Sequence, residues 1–399
     1  MRWWPLTRSE ASGLPPGCRV LGDCCPAHLI DQHQRIWSER TGRFDLLLVL
    51  AATSTAEQDG ISAAGATACS RRLTAVADAE LLLNGPAVAR RWPLPPLPAG
   101  VSPALLGHAV LPWVPLNPSV AALGLPVEPD FPHLRFEGGA AGPANCVSTG
   151  QAMGAARVQR LWSQGQRLGR RLRRPLVLAE CVPGGTTTAQ AVLTALGVPV
   201  QGLISGSARQ PPHAFKSQLV AAGLAEAGLG PDPAAQAVVA AVGDPFQALA
   251  AGLLMGAADG CQPILLAGGS QMAAVLALAM AASSEDARKR LSERVMLGTT
   301  AWLAEERFPG ENRPPLDRLI DALAARFGVG TVALSSGVRF HDSCHQQLRD
   351  YENGYVKEGV GAGGLLLLAQ LQGISPEDLQ ASCDAAMQAL LEPPVTSRP

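Results

Sequence analysis

The segment Pro175-Leu176-Val177-Leu178-Ala179-Glu180-Cys181-Val182-Pro183-Gly184-Gly185-Thr186-Thr187-Thr188-Ala189 decides how the chain is read. Pro175 to Ala179 is an apolar run of strand length, and Thr187 to Leu196 continues as an apolar helix ended by Gly197. A strand that enters a glycine turn and leaves as a helix is the geometry of an anion site. The paired glycines let the backbone approach a ligand, the threonines add hydroxyls, and first-turn N–H groups point at any phosphate placed there. No lysine stands where a Walker A loop needs one, so this is not a P-loop.

Working outward, the same unit recurs. Upstream, Asp45 to Ala51 is an apolar strand followed by the polar loop Thr53 to Gly60, and a helix-like segment runs from Cys146 to Arg174. Downstream, Val198 to Ser205 reads as a strand-like piece before the loop Gly206 to Pro212 and a helix from His213 to Ala227. Val238 to Val242 and Pro263 to Ala267 read as strands, each followed by a turn and a helix, Phe246 to Asp259 and Gln271 to Ala282. Val295 to Leu303 and Thr331 to Ser335 add strand-like runs, while residues 92–145, rich in Pro and Gly, carry no clear assignment. Strands alternating with helices imply right-handed crossovers, hence an α/β fold. We expect a mainly parallel Rossmann-like sheet with helices on both faces, and a smaller, mostly helical part formed by terminal segments. The expected organisation is an N-terminal extension over 1–43, an α/β catalytic domain over 44–375, and a C-terminal helix and tail over 376–399. Ligands of such sheets gather beyond the carboxyl ends of the strands, where Glu180, Thr186, Ser205, Asp244 and Ser270 would lie.

The bulk composition agrees with an enzyme scaffold. Of 399 residues 47% are hydrophobic, enough for a sizeable core, while aromatics make up only 4%. A net charge of −1 gives no reason to expect nucleic acid. The cluster Arg157, Arg160, Arg167, Arg170, Arg171, Arg173 and Arg174 reads as a solvated helix face, with a contribution to anion attraction as the other reading. No apolar stretch reaches the ~20 residues of a membrane span, and the N-terminus lacks a secretory pattern, so a soluble, cytoplasmic protein is expected.

The nine cysteines show no two-residue pair spacing and read as reduced thiols. His341, Cys344 and His345 come closest to metal spacing, but the sequence offers no recognisable third and fourth ligand, and no metal is expected. Gly359-Val360-Gly361-Ala362-Gly363-Gly364 matches GxGxxG, yet it follows a polar Lys357-Glu358 and leaves no room for a dinucleotide fold; no cofactor is expected. Glu358 is the informative residue there. It reads either as a general base with a pKa raised by desolvation or as an exposed helix-start carboxylate.

The ordered set Glu180-x3-Gly184-x-Thr186-Thr187, then Gly206 and Lys216, then Gly243 and Gly252, then Glu358-Gly359-x-Gly361-Ala362 resembles the nicotinate-nucleotide:dimethylbenzimidazole phosphoribosyltransferase family of cobamide assembly. The likeness is greatest to its divergent archaeal and cyanobacterial branch, through Ile61-Ser62-Ala63-Ala64-Gly65, Gly243-Asp244-Pro245 and Leu266-Ala267-Gly268-Gly269-Ser270-Gln271-Met272. It spans roughly residues 44 to 375. The resemblance implies transfer of the phosphoribosyl group of nicotinate mononucleotide to an aromatic heterocyclic base, by a homodimer.

By that resemblance Glu358 is the general base, and Gly359 and Gly361 shape its loop. Glu180, Gly184, Thr186 and Thr187 contact the nucleotide, and Gly206 and Lys216 form a second loop with a point charge near the phosphate. Proximity adds Gly185, Ser205 and Ser207. The sequence departs from the better-known bacterial branch where Ala267-Gly268-Gly269 replaces an acidic strand end, and where Thr53-Ser54-Thr55 stands near the place of an Asp-His-Gly. Asp244 is expected to compensate. A nucleotide-binding or regulatory homologue without transferase chemistry is the alternative.

Overall fold

The computed structural model describes residues 13–39, 43–138, 141–206 and 208–393. Its strands are β1 (Arg19–Val20), β2 (Phe44–Ala51), β3 (Leu116–Leu123), β4 (Leu134–Arg135), β5 (Leu176–Cys181), β6 (Ile264–Ala267), β7 (Val295–Thr299) and β8 (Val332–Ser335). They form one sheet in the order β1-β8-β7-β6-β5-β2-β3-β4. Every pairing is parallel except the antiparallel edge pair β1 with β8.

Alternation along the strands explains the layers. Leu47, Val49, Leu178, Leu266, Leu297 and Ala333 belong to one buried apolar cluster, and Leu46, Leu48, Val177, Leu265, Met296 and Leu334 to another. Successive strand side chains point to opposite faces, so each cluster is the core on one side of the sheet. Helices Ala155–Arg171, Gly185–Ala195, Pro245–Asp259 and Ser270–Ala281 supply the first core, while Ala68–Asn84, Ala104–Val110, Ala362–Leu371 and Pro376–Leu391 supply the second. The segment before β2 also enters the interior, with Leu21 and Trp37 fully buried.

Four local readings need correction, the simplest being Val295 to Leu303, where β7 stops at Thr299 and Ala301–Ala304 is helical with Thr300 as its cap. Val238 to Val242 lies in a helix, Ala235–Val242, because a short apolar run buried among helices carries no period that separates strand from helix. Val198 to Ser205 forms turns rather than a strand: Pro199 offers no N–H to a ladder, and Gly197 and Gly202 adopt positive φ. The helical stretch from Cys146 breaks at Gly150 (φ 63°), leaving a 3-10 turn, Val147–Thr149, before the helix Ala155–Arg171. The unassigned region hides β3, whose Pro118 pairs opposite Leu46 of β2. β4 covers only Ala121 and Ala122, so the proline sits where β3 is an edge.

Helices Ala155–Arg171 and Pro245–Asp259 meet backbone to backbone. A Cβ added at Gly165 would lie 2.0 Å from the Leu249 carbonyl oxygen, and one at Gly252 would lie 2.2 Å from that of Trp162. Gly169 and Gly256 make equivalent contacts, so each helix needs its own glycine pair, three residues between. Gly252→Val is therefore expected to destabilise the fold by about 3 kcal/mol, through overpacking against rigid backbone. Denaturant unfolding measures this, and an unchanged midpoint would contradict the close contact.

The turn of direction in the sheet positions the site. From β2 the chain proceeds outward through β3 and β4, then returns to β5 on the other side of β2 and continues outward through β6, β7 and β8. The crevice beyond the carboxyl ends of β2 and β5 is thus the topological switch point, where open α/β sheets hold ligands.

Candidate active site

A cavity of about 310 Å³ opens at that crevice. The loop after β2 (Gly60 to Ala64), the β5 turn (Glu180 to Thr186), Gly206, Lys216 and the Glu358 loop line it, and the C-terminal helix adds Met387 and Leu390. The volume suits a small organic ligand. An adjoining recess of about 60 Å³ shares Glu180, Thr186, Gly206 and Glu358, and adds Ser205 and Ser270.

One side is built for an anion. Gly184 adopts φ 80°, which sets the turn and starts the helix Gly185–Ala195 with its positive end at the cavity, while the Gly185 and Thr187 N–H groups already bond the Val182 (2.8 Å) and Gly184 (2.9 Å) carbonyls. Lys216, from the helix His213–Ala227, is only 1% exposed, and its Nζ donates to Thr186 Oγ1 (2.9 Å) and to the Ser205 carbonyl (3.1 Å). Both partners are neutral. Burial, with Lys357 adding repulsion, pushes its pKa down to about 8, against a smaller opposing pull from Glu306, which is itself paired with Lys357. Buried charge whose bonds go only to neutral groups is costly until an anion joins it.

Glu358 lines the same cavity. Its Oε2 accepts from Thr299 Oγ1 (2.8 Å) and the Thr300 N–H (3.0 Å), and its Oε1 from the N–H groups of Gly359 (3.0 Å) and Gly363 (3.1 Å). Burial raises its pKa, against the pull of those four bonds. The loop that carries it is strained. Val356, Lys357 and Val360 adopt φ of 63°, 60° and 52°, and the Lys357 and Glu358 N–H groups bond back two residues, to Tyr355 and Val356 carbonyls. Two successive γ-turns on non-glycine residues are rare, and such strain concentrates at functional sites. Lys357 anchors the loop through Glu306 (2.7 Å) and the Ala208 carbonyl (3.0 Å).

Glu180, at the end of β5, faces both cavities. Burial, then the nearby Asp244 charge, pushes its pKa up to about 8, with Glu358 adding to the rise. Gln271 contributes a bond that favours the charged form, and its side chain occupies the space a Cβ at Gly185 would need. Because the folded value lies above the ordinary 4.5, folding takes up a proton at Glu180. That contribution is complete below the ordinary value and is lost as pH rises through about 8. Thermal stability is therefore expected to fall between about pH 5.5 and pH 8.5 by a term on the order of 3 kcal/mol that Glu180→Gln removes. Melting curves at both pH values test it; equal slopes in wild type and variant would count against the buried carboxyl.

Most of the expected residues converge. Glu180, Gly184, Gly185, Thr186, Gly206, Lys216, Glu358 and Gly359 line the main cavity, and Ser205 lines the recess. Gly361 supports from behind: at φ 75°, a Cβ there would come 2.6 Å from that of Ala179. Thr187 is fully buried below the loop, and Ser207 lies outside the described residues. Asp244 is absent from the lining. It caps the helix Pro245–Asp259 in a capping box with Gln247 and accepts from Thr188 Oγ1 (2.6 Å), so it reaches the site only as a charge near Glu180. The arginine cluster also stays outside the lining; Arg157 pairs with Glu137, Arg170 with Asp259 and Arg174 with Asp45.

Other site groups escaped the sequence reading. Thr299, Thr300 and Gly363 position Glu358, and only the Thr-Thr at a strand end hinted at this. Asp78 lines the cavity deep among apolar residues, accepting from Ser102 Oγ (2.6 Å) and the Cys181 thiol (3.6 Å), with burial pushing its pKa up to about 6. Arg71 is buried and braces the loop after β2 through the carbonyls of Ala56, Gln58 and Gly65.

A parallel sheet with this switch-point cavity defines an α/β protein with the fold of the cobamide-type phosphoribosyltransferases. The crystal structure of CobT from Thermus thermophilus superposes with a TM-score of 0.57 at 19% identity, covering 91% of this chain and 88% of that one. A nicotinate-nucleotide-dimethylbenzimidazole phosphoribosyltransferase structure from the same organism gives 0.55 at 20% identity, over 88% and 83%. No family model matches the chain. The UPF0284 protein SYNW1869 of Parasynechococcus marenigrum (strain WH8102) is 61% identical over 393 residues, 98% of this chain and 99% of that protein. A UPF0284 protein of Prochlorococcus marinus (strain MIT 9313) is 57% identical over 386 residues, covering 96% and 95%. The chain belongs to the UPF0284 family. Among the described residues, no helix is long and apolar enough to cross a membrane.

Proposed function

We propose that the protein is a phosphoribosyltransferase that moves the phosphoribosyl group of nicotinate mononucleotide to a lower-ligand base, dimethylbenzimidazole or a related heterocycle such as adenine, in cobamide assembly. One observation carries the reading: a buried lysine hydrogen-bonded only to neutral partners and a carboxylate held by four donors line a single cavity. Lys216, Thr186 and the helix N-terminus take the phosphate. Leu94, Leu97, Val101 and Met387 offer an apolar berth for the flat base, with Asp78 as its polar contact.

In the reaction the bond from the anomeric carbon to the nicotinate ring nitrogen breaks, and its electron pair leaves with nicotinate. The unprotonated ring nitrogen of the base forms the new bond from the opposite face, giving the α-linked product, and the proton on the base's other ring nitrogen passes to Glu358. The ionised Glu358 carboxylate stabilises the oxocarbenium-like centre before it takes the proton. Of the four donors on Glu358, only the Thr299 hydroxyl is able to reverse and accept. It opens one lone pair of Oε2 for the incoming proton while the three backbone N–H groups keep the carboxylate in place. We extend the reading to a cytoplasmic homodimer.

The saturated carboxylate favours a second reading, a nucleotide-binding protein without turnover. Purified protein mixed with nicotinate mononucleotide and a panel of bases separates the two. Base-dependent release of nicotinate is expected; calorimetric binding with no release under any base would establish the second reading instead.

A further inference from the structure

The segment His341-Asp342-Ser343-Cys344-His345 offers metal-ligand side chains that the proposed reaction does not use, and the fold brings them a partner from elsewhere. A carboxylate oxygen of Asp384, on the helix Pro376–Leu391, the Cys344 thiol and a ring nitrogen of His345 lie within 4.8 Å of one another. Ligand atoms around a tetrahedral zinc ion are spaced at about 3.5 Å, so small side-chain rotations close the set. The carboxylate is already oriented, since Ser343 Oγ donates to Asp384 Oδ1 and also accepts from the His345 N–H (3.1 Å). Such bonds to a ligating carboxylate are the supporting contacts metal sites use. One helical turn earlier, the Gln380 amide, with its oxygen and nitrogen exchanged, donates to the Arg339 carbonyl and accepts from the Ser343 N–H, each at 3.2 Å, docking the same helix on the same loop.

We propose that Cys344, His345 and Asp384 bind a divalent transition metal ion, zinc by the mixture of thiolate, imidazole and carboxylate, with water in the fourth position. Binding displaces the thiol proton to solvent, because the thiolate is the ligand. The ion ties together two elements that both reach the cavity. His345 precedes the helix Gln346–Glu352, whose Gln347 lines it, and Asp384 lies one turn before Met387. The clip therefore braces the cavity's outer wall, without touching the reacting groups.

The test uses the full chain, stripped with chelator and titrated with Co²⁺. Expected are saturation at one equivalent, the ligand-field bands of a tetrahedral ion with a thiolate charge-transfer band, and a rise in melting temperature with Zn²⁺. Cys344→Ser should lose the charge-transfer band and Asp384→Asn should weaken uptake at least tenfold, whereas Cys69→Ser should leave both unchanged. Wild-type protein that takes up no ion, or a Cys344→Ser/Asp384→Asn double variant that takes up as much as wild type, overturns the assignment. No outcome depends on transferase activity, so failure here is separate from failure of the proposed function.

Discussion

Glu358→Gln is expected to slow nicotinate release by about 10²- to 10⁴-fold, the range that general-base catalysis supplies, with nicotinate mononucleotide still bound. The substitution is a close test because geometry survives it. A glutamine can turn its oxygen toward the Gly359 and Gly363 N–H groups and its NH₂ toward Thr299, whose hydroxyl reverses to accept. Only the Thr300 N–H then faces a donor. The side chain stays near its place and loses the capacity to take a proton. The pH profile separates this from a structural defect. Glu358 must be ionised to act, and burial raises its pKa, so wild-type turnover falls as pH drops through that raised value. The residual rate of the variant should lack this acid limb. Turnover unchanged in Glu358→Gln would remove the carboxylate from the chemistry.

Lys216→Met should weaken nicotinate mononucleotide binding by about 100-fold, the loss usual for one partner of a desolvated charge pair. Methionine fills similar volume in a position that is 1% exposed, so the fold should persist. Nicotinate riboside, which lacks the phosphate, gives the control, since wild type and variant should bind it equally well. The cation is also titratable. With its pKa lowered to about 8, Lys216 loses charge as pH rises through that value, and mononucleotide affinity should decline there more steeply in wild type than in the variant, which retains only the ionisation of Glu180 in the same range. An affinity that ignores both the substitution and the phosphate would place the anion elsewhere.

These sites differ in how plainly the residues announce them. The β5 turn is legible by itself, because Leu176 to Ala179 has no polar interruption and Gly184 must adopt a positive φ that the paired glycines permit. Glu358 stands out locally beside its glycine turn, but only the order of motifs along the chain chooses the general base over an exposed helix-start carboxylate. Of its four donors, Gly359 is its own neighbour and Gly363 lies in the first turn of the helix Ala362–Leu371, but Thr299 and Thr300 come from the end of β7, a juxtaposition that exists only after the sheet has formed. The loop strain leaves no trace at all, since valine and lysine do not signal positive φ. Val238 to Val242 reads wrongly as a strand because a fully buried helix and a buried strand look alike over five residues. Asp244 does stand in a turn ahead of a helix, but its capping bond turns it inward, and only coordinates reveal which way a turn carboxylate points.

The span of chain that encloses the cavity has a consequence for synthesis. Its walls run from Gly60 to Leu390, with Glu180 and Lys216 between them. The ribosome releases these pieces in sequence, and the N-terminal strands can pair long before the last wall exists. A nascent chain therefore has a sheet before it has an enclosed pocket. Nucleotide binding cannot assist the early steps of folding, and its stabilisation arrives only once residues around Met387 have left the exit tunnel.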